Sequence, residues 1–554
     1  MRRNDLCLLL CCLLPSAALA KGETLLVNAR IHSGDAAATL RDQMAWDATG
    51  HIIALGSGTE LAKRFPDARR VDAGGRDVVP GLIDAHGHIM SLGFSLLRAQ
   101  LDGTRDKQDV VARLREFEKT LPKGAWLLGR GWDQNDWPGK EFPTAADLDA
   151  AFPNRPVWLR RVDGHAGWAN SAAMRAVTRD LSGDWQPGGG RILRADGRAS
   201  GVFVDNATDL VGAVVPAPDD ALRAQALERA LQAMVSHGLT GAHDMGVPLA
   251  DLTLMRGFAD RGQLPLRIRA YADGAMLAKL CETGPYEHPG GRLSMRGVKF
   301  YVDGALGSRG AALLEDYSDD PGNRGLLVTE PAAYAAGVAK ARDCGLQPAT
   351  HAIGDRGNRI VLDTYEKALG DRAGSDLRWR VEHAQVVALS DIARFAKLKL
   401  IASMQPTHAT SDMSWAPARL GAARLDGAYA WQRMRAAGVA LALGSDFPVE
   451  SVDPRLGLYA AVTRTDLAGQ PPGGWLPDQK LTPAQALEGF TSGAAYASFD
   501  ENSLGKLAPG YRADFVVLGG DPLTVAAAQL PTLPVLSTWV DGAVVFEAQQ
   551  AIGK

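Results

Sequence analysis

His86 and His88 stand one residue apart at the end of the apolar run Val78-Val79-Pro80-Gly81-Leu82-Ile83-Asp84-Ala85. On an extended backbone, residues i and i+2 face the same side. The two imidazoles can then meet at one point, which suits a divalent metal at about 2.0–2.1 Å. An isolated pair of this kind is more often two solvated histidines in a loop, so its weight comes from the rest of the chain. Lys299 lies within Val298–Asp303, His351 ends Gln347–His351, His383 ends Trp379–His383 and Asp446 ends Leu441–Asp446. Taken singly, each reads as a satisfied core histidine, a capping aspartate or a lysine paired with Asp303. Together they place six ligand-type residues on strand-like runs, five of them at the ends.

Those runs imply the scaffold. Val78–Ala85, Leu239–Asp244, Leu266–Tyr271, Gly297–Val302, Gln347–His351, Trp379–His383, Leu398–Gln405 and Val439–Ser445 read as eight strands, with helical stretches between several of them. One helix, Ala221–Ser236, shows Leu227, Leu231 and Met234 on a single stripe, Asp219 or Asp220 as cap and Gly238 closing it. Thr482-Pro483-Ala484-Gln485 is a capping box with proline at the first helical position. The α/β alternation predicts a (β/α)8 TIM barrel over residues 80–502, whose active site lies at the carboxyl ends of the strands. Residues 102–218 interrupt it after the first strand, and carry six of the 12 tryptophans. They read as an inserted cap over the barrel mouth. Residues 21–79 and 503–554 are β-rich and are expected to build one small β-sandwich from both chain ends.

Composition bounds the rest. The 554 residues carry a net charge of −3, with 60 basic and 63 acidic side chains, which argues against a nucleic-acid or anionic-membrane partner. Arg2-Arg3, the apolar Leu6–Leu14 and the small-x-small Ala18-Leu19-Ala20 read as a signal peptide over residues 1–20. Its removal takes away two basic residues and one acidic residue and leaves −4. The apolar run is too short to span a bilayer comfortably, so no stable membrane insertion is expected after cleavage. A periplasmic or secreted protein follows, acting on a small-molecule substrate and compatible with a homo-oligomer. Of five cysteines only Cys281 and Cys344 survive cleavage, which permits at most one intramolecular disulfide and excludes a structural zinc site of three or four thiolates.

The ligand-bearing stretches resemble the amidohydrolase superfamily, and within it family 3, the YtcJ-like metal-dependent hydrolases. The resemblance rests on Pro80–His88, on Lys299 through Asp303-Gly304-Ala305-Leu306-Gly307-Ser308-Arg309, and on His351-Ala352-Ile353-Gly354-Asp355-Arg356. Glu382-His383-Ala384-Gln385, Gly444-Ser445-Asp446-Phe447-Pro448 and the terminal Pro509–Phe515 complete it. It implies a distorted barrel with a β-sandwich, and one or two divalent metal ions, usually zinc. His86, His88 and Asp446 would hold one ion, His351 and His383 the other, and Lys299 would bridge them as an N-carboxylated lysine. The implied chemistry is cleavage of an amide or related C–N bond by a metal-activated hydroxide, with Asp446 as general base and then general acid. Trp132, Asp163 and His165 lie in stretches that look like recurring family segments and are expected to contact substrate. His408, after the seventh strand, could meet the substrate carbonyl. Arg309 could orient a carboxylate or hold a loop. Deaminase or lactone/ester hydrolysis on the same centre is the alternative activity, and a non-catalytic barrel binding protein the alternative class.

Overall fold

The computed structural model describes residues 22–35 and 40–549. Eight parallel strands form a barrel wall: Leu82–Gly87, Leu239–Val247, Arg267–Ala272, Leu293–Tyr301, Gln347–Ala352, Arg380–His383, Ile401–Met404 and Ala440–Leu443. Each pairs with its neighbours in chain order. Helices cover the outside, so most strand residues are buried on both faces and the strands read as continuous apolar runs. The wall nearly closes between its last and first members. There Asp446 N donates to His86 O at 2.7 Å and His88 N to Phe447 O at 2.8 Å. Gly444 permits this approach, because a Cβ would stand 2.6 Å from both Asp84 Oδ1 and His86 N.

The helix after the insertion runs Asp220–Ser236, with Asp219 accepting from Leu222 N at 2.8 Å and Leu227, Leu231 and Met234 buried. The capping box at Thr482 forms as expected, with reciprocal bonds to Gln485 of 2.9 and 3.2 Å.

The expected first strand proves to be two. Val78 and Val79 belong to the strand Arg69–Pro80, which pairs antiparallel with Phe515–Leu518 near the carboxyl terminus. The barrel strand begins only at Leu82. Gly81 is the joint: its N donates to Asp514 O at 2.8 Å, and Thr240 packs too close for any side chain. The mark of the break is the Pro80-Gly81 dipeptide, a breaker signal that the apolar residues on either side of it outweighed.

Strands from both ends form one eight-stranded sheet. It runs Ala543–Glu547, Val535–Val540, Phe515–Leu518, Arg69–Pro80, Thr24–His32, Gln43–Trp46, Ile52–Gly56, with Leu40–Arg41 beside Thr24–His32. The sheet curls until His51 bridges Arg512. Arg267 of the third barrel strand anchors it to the barrel through Asp514 at 2.7 Å and through Asp541.

Within the insertion a six-stranded sheet runs Gly190–Ala195, Arg198–Asp205, Ala166–Ala169, Val157–Arg161, Leu127–Trp132, Ala99–Gln100. One face buries Leu127, Val157 and Leu159 against the helix Lys107–Glu118 and the packed rings of Trp132, Trp137 and Trp168.

Cys281 and Cys344 are disulfide-bonded, linking the helix Leu277–Thr283 to the end of the helix Pro331–Asp343. The expected signal peptide lies outside the described residues. Among the described residues, no helix is long and apolar enough to cross a membrane.

Candidate active site

All six ligand-type residues converge at the carboxyl end of the barrel. His86 is the penultimate residue of the first strand, and His88 precedes the helix Ile89–Leu96. Lys299 and His351 lie near the ends of the fourth and fifth strands. His383 closes the sixth and Asp446 follows the eighth, both in the left-handed region at φ 70° and 60°. Such backbone costs on the order of 1 kcal/mol or more in a non-glycine residue and is concentrated at functional sites. Here it turns each side chain toward the barrel axis.

Hydrogen bonds at the far nitrogen orient the rings. His86 Nδ1 donates to Glu382 Oε2 at 2.6 Å, His88 Nδ1 to Met245 O at 2.9 Å and His383 Nδ1 to Gln405 Oε1 at 2.8 Å. These partners accept only, so each Nδ1 holds its proton and each Nε2 faces the site. Burial, with the Lys299 charge acting in the same direction, pushes His86 down to about 4. Burial takes His351 and His383 well below the ordinary imidazole range.

Against these nitrogens stands a carboxylate. Asp446 Oδ1 lies 3.1 Å from His88 Nε2 and 3.5 Å from His86 Nε2, and is buried with no hydrogen bond. Its other oxygen, Oδ2, lies 3.4 Å from His408 Nε2. Burial would raise the Asp446 carboxyl, but His408 and the neighbouring His86 outweigh it and hold it well below the usual range. His351 Nε2 is also buried without a partner. A concave set of acceptors with orphaned atoms fits a cation, and the acceptors behind each imidazole are the outer contacts that metal-ligating histidines make. Two of the three groups among the described residues with donor atoms close enough to share an ion lie here: His86 with His88 and Asp446, and His383 with His408 and Asp446; the third, His32 with Asp77 and Asp521, lies apart from this site.

Lys299 is buried with Nζ 3.1 Å from His86 Nε2. It does not pair with Asp303, whose carboxylate accepts instead from the backbone N–H of Ala312, Ile353 and Gly354 at 2.8–3.0 Å. Burial brings the Lys299 ammonium down to about 8.

The site opens into a cavity of about 840 Å³ lying between barrel and cap. Asp163, His165 and His408 line it. His165 Nδ1 donates to Asp205 Oδ1 at 2.6 Å, with its ring 5.2 Å from that of His351. His408 bridges Asp446 and Glu450, 3.1 Å from the latter. Burial lowers it, but the two carboxylates prevail and raise it to about 10.

Two expected contacts are corrected. Trp132 is wholly buried in the cap core, its Nε1 donating to Leu159 O at 3.0 Å, because the register slips at Gly131 between Arg130 and Trp132 and turns the ring toward Trp137 and Trp168 and away from the cavity. Arg309 takes the loop-holding alternative, paired with Asp319 at 3.0 Å.

Glu382 was the residue the spacing could have revealed. Arg380 and Glu382 place opposite charges at i and i+2 in an apolar strand, and they pair at 2.7 Å while fully buried. Behind them, His243 Nδ1 accepts from Arg380 Nη1 at 2.8 Å.

Comparison with known proteins agrees with this geometry. The amidohydrolase family model Amidohydro_3 matches residues 69–546. A Bacillus subtilis protein that bears the name amidohydrolase YtcJ is 34% identical over 92% of this chain and 96% of its own. An N-substituted formamide deformylase from Arthrobacter pascens is 27% identical over 95% of this chain and 98% of its own. Among solved structures, an uncharacterised metal-dependent hydrolase from Pyrococcus horikoshii superposes with a TM-score of 0.75 at 28% identity, covering 91% of this chain and 99% of that one.

Proposed function

Because the chain belongs to the amidohydrolase family and has the fold of its metal-dependent hydrolases, we propose that it is an exported enzyme cleaving an amide or related C–N bond of a small molecule. The observation that carries the reading is the convergence of imidazole nitrogens on the orphaned Asp446 Oδ1. His86, His88 and Asp446 would hold one ion, His351 and His383 a second, with Lys299 N-carboxylated between them. When bound, such ions, zinc in our reading, supply Lewis-acid polarisation of a carbonyl and an acidified water.

The side chains divide the remaining work. Asp446 commits Oδ1 to the imidazoles of His86 and His88 and leaves Oδ2 toward the cavity side, next to His408. Oδ2 takes the proton of the attacking water as the C–O bond forms. It then delivers that proton to the departing nitrogen as the C–N bond breaks, so the products are a carboxylic acid and an amine. His408, protonated by its place between Asp446 and Glu450, donates to the substrate carbonyl. Asp163 and His165 position the substrate from the cap side. Lys299, brought to about 8 by burial, has enough neutral amine near neutral pH to add carbon dioxide.

The N-formyl amide named in the Arthrobacter relative supports the bond class. Export is supported by the amino-terminal charge and apolar pattern and by the disulfide, which suits an oxidising compartment. The test is a screen of N-acyl and N-formyl amides with Asp446→Asn alongside. The variant is expected to keep much of its metal while kcat falls about 10²- to 10⁴-fold. Unchanged turnover contradicts the assignment, and release of ammonia without a new carboxylate moves the enzyme to the deaminases.

A further inference from the structure

The cap sheet turns an unusual row of side chains into the cavity. In the parallel strands Leu127–Trp132 and Val157–Arg161, Leu128 is in register with Trp158 and Arg130 with Arg160. Gln100 is in register with Arg130, and Arg98 precedes Gln100 by two. Registered neighbours and i±2 positions share a face. Arg98, Arg130, Arg160, Leu128 and Trp158 all line the cavity, while Leu127, Val157 and Leu159 fill the core on the opposite face.

Among the described residues none of these three arginines is in an ion pair. Arg130 Nη2 donates to Val162 O at 2.7 Å, Arg160 donates to Gly164 O, and Arg98 packs over the Phe94 ring at 5.1 Å. Arg161 is the contrast. It lies on the same strand but is saturated by Asp133, Asp163 and Gln134. The acids nearest the row are mostly committed elsewhere: Asp163 to Arg161 and the His165 N–H, and Asp205 to the His165 ring. Asp102 and then Asp446 act on Arg130, and Asp163, Asp209 and Asp205 on Arg160, in each case without an ion pair. Burial, with the charges of Arg160 and Arg130, brings Arg98 down to about 10. Like charges this close on adjacent strands repel, and a bound anion relieves that repulsion while using the planar donor forks.

We infer that Arg98, Arg130 and Arg160 receive a carboxylate on the substrate, with Leu128 and Trp158 receiving an apolar group beyond it. The direction follows from the chain. The carboxyl ends of these strands lead toward His165 beside His351, and Trp158 and Leu128 lie one step further from that centre. The substrate class is therefore an amide with a carboxylate near the scissile bond and an apolar arm pointing into the cap. This rests on the reading of the cavity as the place of hydrolysis.

The test uses the metal-loaded full chain and two matched pairs. Calorimetric binding compares 3-phenylpropionate with 3-phenylpropanamide, and kinetics compares N-formylphenylalanine with N-formyl-2-phenylethylamine. The carboxylate member is favoured by about tenfold or more in each pair, and Arg130→Gln and Arg160→Gln each reduce that preference about 10- to 100-fold. Arg130→Lys, which keeps the charge and loses the fork, falls between, and thermal melting confirms that each variant is folded. Equal binding of acid and amide by the wild type, or a preference untouched by the three substitutions, overturns the inference. Preferential binding of 3-phenylpropionate that depends on the arginines upholds it even where neither formamide is hydrolysed, and that result counts against the hydrolytic reading alone.

Discussion

Glu382→Gln changes one atom at the centre of the barrel, and the structure says which way the damage falls. Glu382 is fully buried and accepts from Arg380 Nε at 2.7 Å through Oε1. Through Oε2 it accepts from both His86 Nδ1 at 2.6 Å and Arg380 Nη2 at 3.0 Å. An amide at the Oε2 position would confront two donors, and at the Oε1 position only one. Glutamine therefore keeps its oxygen toward His86 and turns its nitrogen to Arg380 Nε. His86 keeps its tautomer, so metal affinity falls by about tenfold, the low end for loss of an outer contact. Arg380 loses the carboxylate that neutralises it while remaining bonded to Ala85 O, Ser403, Tyr271 and His243. Breaking a buried pair costs about 3–5 kcal/mol, and the oxygen retained in the isostere puts the loss near the lower figure. At roughly 2 cal/mol/K of unfolding entropy per residue, that is a fall in Tm of about 3 °C in a chain of this length. Scanning calorimetry of the metal-free protein and a competitive metal titration read the two quantities separately. A variant with unaltered Tm, or one that loses metal by several orders of magnitude while staying fully stable, would refute this division of roles.

Three further outcomes are expected. Arg267→Met strands Asp514 where the terminal sheet meets the barrel and takes from Asp541 one of its three arginine partners, leaving Arg292 and Arg512, and should cost about 3 kcal/mol by thermal melting. Burial pushes the Asp541 carboxyl up, but Arg267 and Arg292 prevail and hold it below its ordinary value, so its contribution is complete above about pH 4 and disappears as pH falls through the folded value. Wild-type Tm should consequently drop more steeply below pH 4 than that of Arg267→Met, and parallel curves would contradict the linkage. Replacing Cys281 and Cys344 with serine opens a loop of 63 residues, worth about 4 kcal/mol by chain entropy, read as lower resistance to urea. Gly444→Ala drives a methyl group against Asp84 and His86 N, and should cost about 1–3 kcal/mol together with metal content; normal metal content in this variant would show that closure of the barrel does not position Asp446.

The barrel was legible because each of its strands is an apolar run between turn signals, and a wall buried on both faces writes itself that way in sequence. The metal-type residues were legible for a related reason: charged and imidazole side chains closing apolar runs have few structural uses. What escaped were features set by tertiary direction. Val78 to Ala85 reads as one strand by its apolar residues, and is divided at Pro80-Gly81, where Gly81 bonds Asp514 O and packs against Thr240. Trp132 follows a glycine in a stretch that looked functional, yet the irregularity at Gly131 breaks the strand alternation that would have kept it beside Arg130 and sends it into the cap core. The arginine row depends on the register between two strands separated by a loop and helices, which no local pattern encodes. Asp446 and His383 reach the axis through left-handed backbone that their residue types do not announce.

The central claim is that scattered side chains converge to hold ions on which hydrolysis depends. It is tested most directly by following the rate of amide cleavage while metal is titrated into chelator-stripped protein, with bound metal per chain counted at each point. Without metal the rate should be negligible, and it should rise to saturation at one or two ions per chain. Full activity in protein shown to contain no metal would contradict the claim.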